Sequence, residues 1–188
     1  NPQIEKTLFE NKLHNKIATL LQTLDAIKLE KESGRYNSQF SDFTLLSRFS
    51  NKSDNSFGFV ITTQNRAKAW SSDAQSFFNT KDPLRSGEVQ FLGNGWYYVV
   101  SKQVGLQNIW GLFCIKHEYL YQNRYLTNFF SDEFNLSPNA EISTKPSLFS
   151  FPIKDIQGNY LFSLKIKGHT KVSETFSLLS NVSFYLFL

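Results

Sequence analysis

Val89-Gln90-Phe91-Leu92-Gly93-Asn94-Gly95-Trp96-Tyr97-Tyr98-Val99-Val100-Ser101-Lys102 is the stretch whose reading decides the fold. A short apolar run, a Gly-Asn-Gly turn and a second run in which Trp96, Tyr98 and Val100 alternate with Tyr97 and Val99 describe two antiparallel strands. Upstream, Phe57, Phe59 and Ile61 share one face of a strand, Thr63-Gln64-Asn65 turns the chain, and Ala67 to Trp70 return. Downstream, Gly105 lies in the next turn and Ile109 to Lys116 reads as a buried strand. The middle of the chain is therefore expected to be an antiparallel meander.

Ahead of it, Ile4 to about Glu32 contains no Gly or Pro and carries Leu13, Ile17, Leu20, Leu24 and Ile27 at alternating spacings of four and three. That spacing predicts a long helix with a narrow apolar seam, stopped by Gly34. The seam suits either a partner helix in a dimerising stalk or the chain's own sheet, and the residues leave both readings open. Phe40 to Asn55 is polar and reads as a connection with a short helix near Phe43 to Phe49, and Asp73 to Asp82 is a second polar stretch. Tyr119, Leu126, Phe129 and Phe130 give Glu118 to Phe130 a helical spacing. Phe149, Phe151 and Ile153, the turn Asp155 to Asn159, and Tyr160 to Ile166 predict a small second sheet, with Pro152 on an edge strand. The fold class is α+β, organised as a stalk helix over 1–34, a sheet domain over 35–135, a small β subdomain over 136–170 and a return segment over 171–188.

The 188 residues are 40% hydrophobic and 19% charged, within the range of a chain that folds around a core. Aromatic residues make up 16%, including 19 Phe, which favours sheets burying large rings. With no Met and an opening Asn1-Pro2, the sequence reads as an excised piece. Phe176, Leu178, Leu179, Val182 and the run Phe184 to Leu188 read either as the first turns of a membrane helix or as a terminal core element. The formal charge of +4 is spread, and Lys165, Lys167, His169 and Lys171 fall at every second position opposite Phe162, Leu164 and Ile166. This is the pattern of a solvated strand face, near enough to the apolar tail to meet anionic headgroups, and no nucleic-acid partner is expected.

Catalytic signatures fail on their chemistry. His117-Glu118-Tyr119-Leu120-Tyr121 opens like a zinc-protease helix but has Tyr121 where the second His ligand is needed, and His14, His117 and His169 are far apart. Gly93-Asn94-Gly95 precedes a strand and forms no phosphate cradle. The lone thiol, Cys114, sits mid-strand without an evident base, and a single cysteine offers neither a disulfide nor a thiolate metal pair. No catalytic residue, metal or cofactor is expected. What remains is an aromatic and polar set around the meander. Trp70, Trp96 and Tyr98 are candidates for stacking, Arg85 for meeting an anion, and Asp73 for an amine or hydroxyl, set against the plainer reading that the large rings are core.

Phe59-Val60-Ile61 through Ala69-Trp70-Ser71, Asn94-Gly95-Trp96-Tyr97, the run Ile115 to Leu126 with Asn128-Phe129-Phe130, and Asp155-Ile156-Gln157-Gly158-Asn159-Tyr160-Leu161-Phe162-Ser163-Leu164 together carry a resemblance. The chain resembles the periplasmic sensor segments of histidine kinases from Bacteroidetes-type bacteria, which are similar to the PDC or Cache group of PAS-like sensor folds. The resemblance implies a long membrane-emergent first helix, a ligand-facing antiparallel sheet, a small membrane-proximal sheet and a return into a second membrane helix. It implies a location on the periplasmic or extracellular side of a bacterial inner membrane, an unidentified small-molecule or peptide ligand, and a homodimeric parent receptor with a kinase core elsewhere. A non-signalling, envelope-anchored glycan or peptide binder is the alternative.

Overall fold

The computed structural model describes residues 2–36, 38–52, 57–71, 74, 77, 83–137, 139–148 and 150–166. Helix α1 spans Pro2–Glu32 and α2 spans Gln39–Lys52. Strands β1 (Gly58–Thr63), β2 (Arg66–Trp70), β3 (Glu88–Phe91), β4 (Gly95–Val104), β5 (Gln107–His117) and the short β6 (Phe129–Phe130) follow. A 3-10 helix at Asp132–Phe134 leads to β7 (Glu141–Ser143), β8 (Phe151–Lys154) and β9 (Tyr160–Lys165). The fold is mixed α+β, as the hydrophobic periodicities require.

The main sheet is antiparallel in the order β2-β1-β5-β4-β3, with β6 added to the end of β5. The hairpin β1–β2 and the three-stranded meander β3–β4–β5 build it, and the pairing of β1 with β5 from Gly58↔Leu112 to Thr63↔Gln107 joins them. The first hairpin turns through Gln64 and Asn65, both at positive φ (51° and 61°), the geometry that follows strand twist across a two-residue loop. Alternation on β4 sorts the two faces as its residues predict: Tyr98 and Val100 enter the core beneath the helices, while Tyr97 and Val99 join Val60 and Leu112 on the opposite face.

The seam of α1 is taken up by the chain's own sheet. Leu13, Leu20, Leu24 and Ile27 are fully buried and Ile17 nearly so. Gly111 is what lets the helix approach: a Cβ there would lie 2.8 Å from Leu20 Cδ1 and 3.1 Å from Leu24 Cδ1. The helix ends where expected, at Gly34 with φ 77°.

The second sheet has the order β7-β9-β8, which puts Pro152 on an edge strand, where a missing N–H costs no ladder bond. Strand β7 is an addition to the two strands expected. The N-terminal part of α1 seals this sheet to the body. Phe9 sits among Phe130, Phe134 and Phe162 at centroid distances of 6.3, 5.0 and 6.0 Å. Glu10 and His14 meet the backbone of Lys154 in β8, the His14 Nε2 lying 2.7 Å from its carbonyl oxygen. Lys154 pairs with Tyr160, so stepping back along α1 from His14 to Phe9 runs forward along β9 from Tyr160 to Phe162. Strand β9 therefore runs antiparallel to α1, with Lys165 toward the start of the helix.

The helix expected over Glu118 to Phe130 does not form. Asparagine side chains hold this segment in turns: Asn123 Oδ1 accepts the N–H groups of Tyr125 and Leu126, and Asn128 Oδ1 accepts that of Tyr119. Such local bonds satisfy the backbone in a form that competes with the helical ladder. The apolar run 176–188 and Lys167, His169 and Lys171 lie outside the described residues.

Candidate ligand site at the junction of the two sheets

The end of β5 gathers chemically capable side chains: Cys114, Lys116, His117 and, just beyond the strand, Glu118. Trp96 pairs with Lys116 and Tyr97 with Cys114, so Ile115 is an extra residue on β5 and the alternation slips by one. A bulge of this kind re-aims the side chains beyond it. Ile115 packs into the helix-side core, and Lys116 follows it to that side, its ammonium 5.4 Å from the Phe130 ring centroid. His117 turns the other way and lines a cavity with Tyr97 and Cys114.

Lys116 is only 3% exposed. Its ammonium donates to Glu118 Oε2 at 2.9 Å and to the Ala140 carbonyl at 2.8 Å, tying the end of β5 to the approach to β7. The same Glu118 oxygen receives the Trp96 indole N–H at 3.3 Å. Around this knot lies a crevice of about 560 Å³, bounded by Lys116 from the main sheet, Glu118, Gln122 and Asn128 from the loop that follows β5, and Asn139 and Glu141 from the second sheet's entry. Its size suits a small molecule, and a crevice between two packed units is a common position for one.

Beside β5 lies a smaller cavity of about 210 Å³, lined by Lys16, Cys114, His117, Ser131 and Glu133. Lys16, with its side chain 7% exposed, forms an ion pair with Glu133 and stands over the Phe113 ring at 5.1 Å. Burial pushes the Cys114 thiol up to about 11, against small opposing effects from Tyr97 and Ser131. Burial also lowers the pKa of His117, whose Nδ1 is buried without a hydrogen-bond partner. Its ring lies 4.5 Å from that of Phe129. A thiol and an imidazole so placed are held neutral, poor material for a nucleophile and its base.

Of the five residues singled out from sequence, the four described ones, Trp70, Arg85, Trp96 and Tyr98, lie at separate places in the fold. Trp70, 41% exposed on the edge strand β2, packs edge-on against Phe43 of α2 at 5.1 Å. Arg85 is on the surface before β3, paired with Glu88 at 2.7 Å. Tyr98 lies in the core beside Phe113, its pKa raised by burial and then by the Asp155 carboxylate. Asp73 lies outside the described residues. Among the four described ones, Trp96 reaches the crevice, through Glu118. Sequence reasoning passed over Lys116, Asn128, Asn139 and Glu141. The one signal available was a lysine directly continuing the apolar run Ile109 to Ile115.

Comparison with protein-family models, with curated proteins and with solved structures finds no match for this chain.

Proposed function

We propose that this chain is the extracytoplasmic ligand-sensing segment of a bacterial sensor histidine kinase, with no catalytic chemistry of its own. It would act on the periplasmic or extracellular side of the inner membrane, in a homodimeric parent. The observation that carries the reading is the placement of α1. One helix of 31 residues is packed on both sheets, and the crevice lies between those same sheets. A ligand that prefers one spacing of the sheets biases the position of α1 against β9, and can do so only by its difference in affinity for the two arrangements. Because α1 and β9 run antiparallel, such a displacement is delivered to one side of the domain, the arrangement needed by a segment joined to a membrane at both ends. The sequence resemblance, the long first helix and the antiparallel sheet support the same reading.

The test is made on the complete reading frame, expressed in a bacterial membrane. The expected result is cleavage of this segment by protease added outside spheroplasts, and ATP-dependent labelling of the polypeptide with acid-labile phosphate. A segment protected from external protease, or a polypeptide that takes up no such phosphate, refutes the proposal.

A further inference from the structure

We infer that the crevice takes a small ligand carrying a protonated amine on a hydroxyl-bearing frame, a class that deepens the sensing proposal and rests on it for its biological meaning. The electrostatics set the choice. The Lys116 ammonium has three N–H groups, two of them committed to Glu118 and Ala140, and it faces the Phe130 ring while almost wholly buried. With two donors engaged and 3% of the residue exposed, it offers an incoming anion little beyond its one remaining N–H. Glu118 uses Oε2 for both Lys116 and Trp96, which leaves Oε1 of this crevice-lining carboxylate without a protein partner among the described residues. Glu141 adds a second negative charge at the opposite wall, in a partly exposed 3.7 Å pair with Lys165. Such a pair is weak and yields to a better-placed cation.

The rest of the lining sets the frame of the ligand. Asn128 already accepts the Tyr119 N–H at its carbonyl oxygen, and its amide group has two N–H donors to offer a ligand. Gln122 and Asn139 add amides that both donate and accept. An anion entering here meets two carboxylates and a lysine already engaged, and an apolar molecule strands the amides. A cationic amine beside Glu118 and Glu141, with hydroxyls toward the amides, satisfies both.

Glucose and two relatives that each differ from it at one carbon, glucosamine and glucuronate, separate these cases when titrated near neutral pH into the isotope-labelled chain and followed by amide NMR. The expected result is that glucosamine moves the signals of Gln122, Thr127, Asn128 and Asn139 at concentrations where glucose and glucuronate leave them in place. Glu141→Gln, a change at a half-exposed side chain, weakens that response about tenfold while leaving thermal stability unchanged. An equal or stronger response to glucose or glucuronate overturns the amine class but leaves the crevice as a ligand site. Absence of any response at millimolar sugar overturns both the class and the crevice, whereas the sensing role is decided independently by the phosphate-labelling experiment.

Discussion

Lys116 and Glu118, two residues apart at the end of β5, form a 2.9 Å ion pair in which the lysine side chain is 4% exposed and the glutamate 35%. The pair holds the loop that follows β5 against both Trp96 and Ala140. Removing the carboxylate strands a buried ammonium. Glu118→Ala is expected to cost about 2–4 kcal/mol in urea unfolding, and Lys116→Met to cost less, since it leaves no charge in the core. The double variant should be more stable than Glu118→Ala alone. Equal stability of wild type and Glu118→Ala removes this account of the knot.

At Gly111 the constraint is steric. Any Cβ there meets the ends of Leu20 and Leu24, which can yield only within a packed helix–sheet interface. Gly111→Ala is expected to destabilise by about 1–3 kcal/mol and Gly111→Val by more, read from chemical denaturation. If Gly111→Val unfolds at the wild-type midpoint, α1 is not seated on β5 as described.

For His117 the sign follows from burial. Desolvation lowers its folded pKa below the ordinary 6.5, so between the two values the unfolded chain binds more protons than the folded one. The contribution of His117 to stability is complete above pH 6.5, declines as the pH falls below it, and levels off beneath the folded pKa. Unfolding midpoints from pH 7.5 to 5 should fall more steeply for the wild type than for His117→Gln. Parallel curves contradict it.

Cys114 should be a slow thiol. With its pKa pushed up to about 11, little thiolate is present near neutrality, so alkylation by iodoacetamide at pH 7.5 should be far slower in the folded chain than in urea. Similar rates in the two states would place the thiol in open solvent.

The strands were legible because alternation along them is a direct image of burial: Tyr98 and Val100 against Tyr97 and Val99 divide between the two cores as their order predicts. The seam of α1 was legible as apolar but not as to its partner, because Leu20 and Leu24 read alike whether they face a second helix or Gly111. The crevice was not legible, for two physical reasons. The bulge at Ile115 decides which side Lys116 and His117 face, and a one-residue slip leaves no mark in composition. The turns at residues 118–128 depend on the Asn123 and Asn128 side chains outcompeting an apolar spacing that resembles a helix. Of the aromatic and polar set chosen from sequence, Trp96 reached the site because its strand pairs it with Lys116.

The contact of Glu10 and His14 with Lys154 is where α1 meets the second sheet, and fixing it tests most directly whether movement there carries the signal. In the complete polypeptide, with Cys114→Ser, Glu10→Cys and Lys154→Cys, the two new thiols are joined by a short bis-maleimide and phosphate incorporation is measured in membrane vesicles, with each single-cysteine variant treated alike. The account predicts that only the doubly substituted, cross-linked protein is held at one fixed level of phosphorylation that no longer responds to stimulus. A cross-linked protein that responds as fully as the untreated one contradicts it.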